Sequence, residues 1–181
     1  MGSKVYETPF DYFRRRWERH RFTVDAFASD ANALVRPCAN EEEWGEIEGI
    51  VDTCCARFAG RYYTAETDGL AAEHYRSGDA VWANPPYDHT ILKAVKLARE
   101  LSQDAGVLWD MLLPVSGKTR WFDLIWNDAA GHWRDGVEAH YVGRVQFLID
   151  GKLPLDKQGR PQSSRQENLQ VTFHRGGEAW R

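Results

Sequence analysis

Ala80-Val81-Trp82-Ala83-Asn84-Pro85-Pro86-Tyr87 joins an apolar run to a double proline. Four apolar residues describe a buried strand. Two consecutive prolines cannot continue a central strand, so the chain must turn at its end. Asp88 then reads as the cap of a helix carrying Ile91, Val95, Ala98 and Leu101 at helical spacing and ending near Gly106. Residues 107–113, Val-Leu-Trp-Asp-Met-Leu-Leu, form a near-continuous apolar run closed by Pro114, the pattern of a strand buried on both faces of a parallel sheet.

Upstream, residues 22–28 read as a short buried strand that stops at Ser29-Asp30, and Tyr62-Tyr63-Thr64 as another. Thr8-Pro9-Phe10-Asp11 is a helix start, with Thr as N-cap and Pro at the first position. Phe10, Phe13 and Trp17 form its apolar stripe. Asn40 with Glu43 suggests a capping box opening a helix with Trp44, Ile47, Val51, Cys54 and Phe58 on one face. Downstream, residues 118–129 read as a further helix, and residues 137–142, 145–149 and 169–173 as strands. Residues 152–167 are polar, rich in Gly, Pro, Ser and Gln, and aperiodic, which predicts a mobile loop. Strand and helix alternate up to residue 129 and strands cluster afterwards. That order predicts one α/β domain over residues 1–181, with a mainly parallel sheet and antiparallel C-terminal edge strands.

The 181 residues carry a formal net charge of −4, which excludes a uniformly basic nucleic-acid coat protein. The distribution is uneven: +3 over residues 1–24, −9 over residues 25–110 and +2 over residues 111–181. Two mildly basic ends around an acidic middle suit either solvated helix faces or a surface that meets a polyanion. The three cysteines, Cys38, Cys54 and Cys55, form no disulfide framework and point to a reducing, cytoplasmic setting. No apolar run is long enough to span a membrane, and the first residues lack the apolar core of a secretory signal. The cysteines and six histidines show no metal-ligand spacing, so no metal is expected. His140 and His174 fall in or beside strands and read as structural.

Asn84-Pro85-Pro86-Tyr87 carries the chemistry. In an open parallel sheet, ligands bind at the carboxyl ends of strands, where this tetrapeptide sits. An exocyclic amine on a base is a poor nucleophile because its lone pair is delocalised into the ring. An Asn oxygen and a proline backbone carbonyl can accept hydrogen bonds from that amine and localise the lone pair. The prolines fix the backbone that presents the carbonyl. Tyr87 offers a ring on which an extruded base can stack. The same four residues also describe a plain turn after a strand.

The tetrapeptide resembles the catalytic signature of the amino-group methyltransferases that use S-adenosylmethionine. Val24-Asp25-Ala26-Phe27-Ala28-Ser29 resembles their cofactor motif, with Ser29-Asp30 in place of its glycine-rich turn. Glu7-Thr8-Pro9, residues 24–32, Tyr62-Tyr63-Thr64, Asp68-Gly69-Leu70, residues 81–87, Leu112-Leu113-Pro114, Trp121-Phe122 and Gly143-Arg144-Val145-Gln146-Phe147 follow the order of the phage-type DNA N6-adenine methyltransferase (Dam-like) family. Relative to that pattern, residues 34–58 are a helical insertion. The resemblance implies a Rossmann-like methyltransferase fold and transfer of a methyl group from S-adenosylmethionine to adenine N6 in DNA. It implies Asn84, Pro85, Pro86 and Tyr87 as the catalytic set. It places Thr8, Pro9, Asp25, Ala26, Ser29, Asn84 and Pro85 around the cofactor, Asp25 facing the methionine ammonium. Asp68 is implied as an acidic contact to the cofactor's adenine or ribose, although an Asp before Gly also serves as a turn former.

A base inside a duplex cannot reach the tetrapeptide, so the adenine would be flipped out or already unpaired. Phosphate contacts then need cations near the strand ends. Lys118 and Arg120, directly after the strand that ends at Leu113, are the first candidates; Lys157, Arg160 and Arg165 in the polar loop are the second. Arg14, Arg15, Arg16, Arg19 and Arg21 on the first helix can contribute or can lie on the opposite rim. Cytosine N4 and a protein glutamine are alternative acceptors for the same tetrapeptide, and a non-catalytic DNA-binding partner subunit is the alternative of another class.

Overall fold

The computed structural model describes residues 7–37, 60–149, 151–162, 164 and 166–176. Its main sheet contains β1 (Val24–Asp25), β2 (Arg61–Tyr62), β3 (Ala80–Ala83), β4 (Leu108–Pro114), β7 (Val137–Gly143) and β8 (Asn168–Phe173) in the order β2-β1-β3-β4-β8-β7. The first four strands run parallel; β8 is antiparallel to both β4 and β7. This is the predicted α/β arrangement, a Rossmann-like sheet with an antiparallel C-terminal edge.

Strand alternation sorts the core into two layers. Val81 and Ala83 of β3 with Trp109, Met111 and Leu113 of β4 face helix α2 (Thr90–Asp104) through Ile91, Ala94, Val95 and Ala98. Ala80 and Trp82 with Leu108 and Leu112 face the other side, where helix α1 (Phe10–His20) buries Phe13 and Trp17 beside Phe22. Trp82 is the centre of that layer; the rings of Phe13 and Phe22 lie 5.6 and 5.5 Å from it. The helix ends because Arg21 adopts a left-handed conformation, φ 56° and ψ 57°, its N–H donating to the Trp17 carbonyl.

One polar residue breaks this apolar pattern. Asp110 in β4 lies on the α1 side and is fully buried. Arg16 grips it with Nε and a terminal nitrogen at 2.8 and 2.7 Å, and the Thr172 hydroxyl donates to it at 2.7 Å. Two parallel N–H···O bonds fix the roll of α1 about its axis as well as its distance from the sheet.

Three expectations need correction. Thr8 is not the N-cap of α1: Pro9 occupies that position with no side-chain cap, and the Thr8 hydroxyl is engaged elsewhere. Residues 118–129 are not an α-helix. They make one 3₁₀ turn at Phe122–Leu124 and enter a small hairpin, β5 (Trp126–Asn127) with β6 (His132–Trp133). The aromatic content favours cross-strand pairing over helix, Trp126 and Trp133 stacking edge-on at 4.9 Å, and Gly131 supplies the positive φ the turn requires. Residues 145–149 alternate in burial like a strand but pair only through isolated bridges, Glu7 with Leu148 and Ile149 with Lys152. The irregularity at Gly143, φ 70°, breaks the ladder before them. Within the polar loop, Leu155 bridges Pro161, and the Asp156 carboxylate accepts from the Gln158 and Arg160 N–H groups, so its described part is a closed turn.

Of the expected insertion, residues 34–37 are extended or bent and the remainder, with the Asn40–Glu43 capping box and all three cysteines, lies outside the described residues. Among the described residues no helix is long and apolar enough to cross a membrane, and no group of His, Cys, Asp and Glu could hold a metal ion. His140 and His174 both approach Glu138, which also takes the Arg19 guanidinium at 3.1 Å.

Removing the cation from a buried pair strands its carboxylate. Arg16→Ala is expected to lower the unfolding free energy by about 3–5 kcal/mol. Arg16→Met combined with Asp110→Leu should recover most of it. Urea denaturation followed by tryptophan fluorescence measures both.

Candidate active site

The chain leaves β1 toward β2 on one side and reaches β3 and β4 on the other, so the strand order reverses between β1 and β3. Loops at the carboxyl ends of two such strands diverge and leave a crevice, the usual ligand position in this architecture. A pocket opens there, lined by Thr8, Asp25, Phe27, Asn32, Leu34, Trp82 and Asn84. Three of the predicted site residues, Thr8, Asp25 and Asn84, thus come together from segments distant in sequence.

Asn84 follows β3 directly. Its Nδ2 donates to the Thr8 hydroxyl at 3.2 Å, which leaves Oδ1 as an acceptor. Thr8 lies in the extended segment that enters α1. That segment is pinned by paired bonds between Glu7 and Leu148, both 2.9 Å. Beyond the tetrapeptide, the Asp88 N–H closes a turn on the Pro86 carbonyl at 2.8 Å, and the Asp88 carboxylate accepts from the Thr90 N–H at 2.7 Å as α2 begins. Asp88 is therefore one residue short of the expected cap position, which His89 occupies without a side-chain bond. Pro85 is buried and Pro86 exposed. The Tyr87 hydroxyl donates to the Asn168 Oδ1 at 2.7 Å.

Asp25 ends β1 with a carboxylate that is 4% exposed and accepts the Leu34 N–H at 3.0 Å. Burial raises its pKa from 3.8 to about 6, against the lowering effect of the Leu34 and Phe27 N–H groups and of Arg36. A buried carboxylate facing a pocket is a good partner for an entering cation, which would offset its lost hydration. Ala26 is buried beside it. Ser29 turns inward on itself, its N–H and hydroxyl both bonding the Asn32 Oδ1, so Asn32 and not Ser29 lines the pocket. Phe27, Asn32, Leu34 and Trp82 are lining residues that the site prediction missed. Trp82 was legible, since it precedes Asn84 by two positions and must share its side of the strand.

Asp68 does not line the pocket; it adopts φ 49° and its carboxylate caps the Leu70 N–H at 3.0 Å. Its neighbour Gly69 explains the motif. A Cβ at Gly69 would lie 1.9 Å from the Ala26 carbonyl oxygen, so only glycine lets this loop approach the end of β1.

Antiparallel pairing of Asn168 with Pro114 brings the start of β8 to the carboxyl end of β4. The loop before Asn168 and the loop after Pro114 therefore emerge on the pocket's edge of the sheet. Lys118, Arg120 and Lys157 are exposed on them. Arg160 is also exposed, but its guanidinium meets Asp156 at 3.0 Å. Arg165 lies outside the described residues. On α1, Arg16 and Arg19 are held by Asp110 and Glu138, and Arg21 lies 4.4 Å above the Trp17 ring.

A family model described as DNA N-6-adenine-methyltransferase (Dam) matches residues 50–174, more than half of the chain. The protein belongs to the Dam family. The matched stretch of this Dam-family chain runs from before β2 through β8 and contains Asn84-Pro85-Pro86-Tyr87; Thr8 and Asp25 lie before it. No protein of curated function matches the chain. Among solved structures, a protein from Thermoplasma acidophilum described as a methyltransferase candidate is similar at 13% identity and a TM-score of 0.31, over 66% of this chain. The Dam-family chain spans about half of that protein's length, 48%.

The Asp25 carboxylate also predicts a pH-dependent cost. Between pH 3.8 and about 6 the folded state holds a proton that the unfolded chain releases, so stability falls as pH rises through that window. Asp25→Asn should be more stable than wild type at pH 7.5, by about 2 kcal/mol, with the gap closing toward pH 4. Urea denaturation at the two pH values tests this.

Proposed function

We propose that this protein transfers a methyl group from S-adenosylmethionine to the N6 amino group of adenine in DNA. The observation that carries the reading is Asn84: at the end of β3, its amide oriented by Thr8, lining the same pocket as the buried Asp25. Family membership supports DNA adenine as acceptor.

S-adenosylmethionine supplies an electrophilic methyl group on a sulfonium. Asp25 would receive the cofactor's ammonium, Thr8, Pro9 and Ala26 would form the wall beside it, and Ser29 would act through Asn32. Asp68, beside the Gly69 that packs on the end of β1, would have to turn from the Leu70 N–H to meet the cofactor's adenine or ribose. The Asn84 Oδ1 and the Pro85 carbonyl would accept the two N–H bonds of the target amine and localise its lone pair toward the methyl carbon. The nitrogen–carbon bond would form as the sulfur–carbon bond breaks, and the amine's extra proton would leave to solvent. No enzyme nucleophile is needed. Pro86 stiffens the turn, and Tyr87 would stack on the flipped base. Lys118, Arg120 and Lys157 would meet phosphates, joined by Arg160 if Asp156 releases it, and by Arg165. Such contacts position DNA without reading its sequence.

Incubation with radiolabelled S-adenosylmethionine and duplex DNA, followed by nucleoside analysis, is expected to yield N6-methyladenine. Asn84→Ala should reduce the rate by at least about 100-fold, the scale of losing a positioned polar group at a reacting centre. Label in N4-methylcytosine or in protein would assign another acceptor. Binding of DNA with no label transferred would favour the partner-subunit reading.

A further inference from the structure

Tyr87 carries two restraints that a stacking ring alone does not require. The residue is 39% exposed, yet its hydroxyl donates to Asn168 at 2.7 Å, and its ring plane stands 85° from the ring of Phe147, 6.2 Å away. Asn168 is fully buried and is itself fixed: its Nδ2 donates to the Gly143 carbonyl at 3.2 Å and to the Gln166 carbonyl at 3.0 Å. Every polar atom of the Asn168 side chain is therefore committed. The amide cannot flip without losing acceptors for its NH₂ and turning that NH₂ toward the hydroxyl.

These partners belong to different segments. Gly143 closes β7, Gln166 ends the polar loop that carries Lys157 and Arg160, and Tyr87 ends the catalytic tetrapeptide. One buried side chain joins all three. We infer that Asn168 is a positioning residue: through the Tyr87 hydroxyl it holds the ring at the tilt on which the target base stacks, and it links that ring to the loop placed against DNA. The inference rests on the base-stacking role given to Tyr87 above. Its consequence is specific to the acceptor. Asn168 does not line the cofactor pocket, so loosening Tyr87 should weaken productive engagement of DNA and leave the cofactor untouched.

Tyr87→Phe keeps the ring and removes only the donated hydrogen bond. With unmethylated genomic DNA as substrate, its KM for DNA is expected to rise about 5-fold, the effect of one hydrogen bond. The KM for S-adenosylmethionine should stay within about twofold. Asn168→Ala should show the same split, and the double variant should be no worse than the worse single, because both remove one interaction. An unchanged KM for DNA in Tyr87→Phe would overturn the inference, as would effects that multiply in the double variant. A role confined to stability would lower the melting temperature and move both KM values together, which also counts against it. If Asn168→Ala fails to fold, the split in Tyr87→Phe decides alone. Wild-type protein that methylates no DNA would remove the underlying reading and this inference with it, whereas active wild type with an indifferent Tyr87→Phe removes this inference only.

Discussion

The ion pair between Arg16 and Asp110 is the constraint on which the site depends. A fully buried carboxylate in the middle of an apolar strand is costly unless a cation and further donors complete it, and here Arg16 and Thr172 do so. Burial and the Asp110 carboxylate act in opposite senses on Arg16, and its pKa ends above the usual value. The same packing pushes the neighbouring His20 down to about 4 by burial, so the imidazole beside this guanidinium stays neutral at physiological pH. An aromatic layer alone would tolerate several rolls of α1. The bidentate pair selects one, and that roll aims the residues preceding the helix, Thr8 and Pro9, at the end of β3. The orientation of the Asn84 amide is in this sense inherited from a charge pair deep in the sheet.

The pair also changes the meaning of the charge pattern. The +3 of residues 1–24 looks like part of a surface for a polyanion. Arg16 and Arg19 are instead matched to Asp110 and Glu138, and Arg21 rests on Trp17. Exposed cations are also found in the C-terminal part, Lys118 and Arg120 on the loop after β4 and Lys157 on the loop before β8. A handful of exposed side chains can position DNA transiently, with contacts sensitive to salt, without a basic chain overall.

The elements that were legible are those in which one local rule acts without competition. β3, β4 and α2 carry clean periodicity, and Pro85-Pro86 and Asp88 punctuate them, so their boundaries fall close to expectation. The misread segments are those where pairing partners decide. Residues 118–129 contain apolar residues at helical spacing, but Trp126 gains more from Trp133 across a turn that Gly131 makes possible. Residues 145–149 alternate like a strand yet find only Glu7 and Lys152 to pair with. Thr8 reads locally as a cap because capping is what threonine does before a proline; its actual partner, Asn84, is 76 residues away. Asp25, Asn84 and Thr8 were each visible as chemistry. Their convergence needed the strand order, which places β1 beside β3 although β2 intervenes in sequence.

That strand order also accounts for the least comfortable group in the molecule. At the point where the order reverses, backbone and side chains diverge and a pocket must open. A neutral side chain at the end of β1 would stabilise the fold better than Asp25 does, since burial holds its pKa at about 6. The N–H groups of Leu34 and Phe27 relieve the charge only in part. The aspartate is thus destabilising for the fold, and it lies where the strand order reverses.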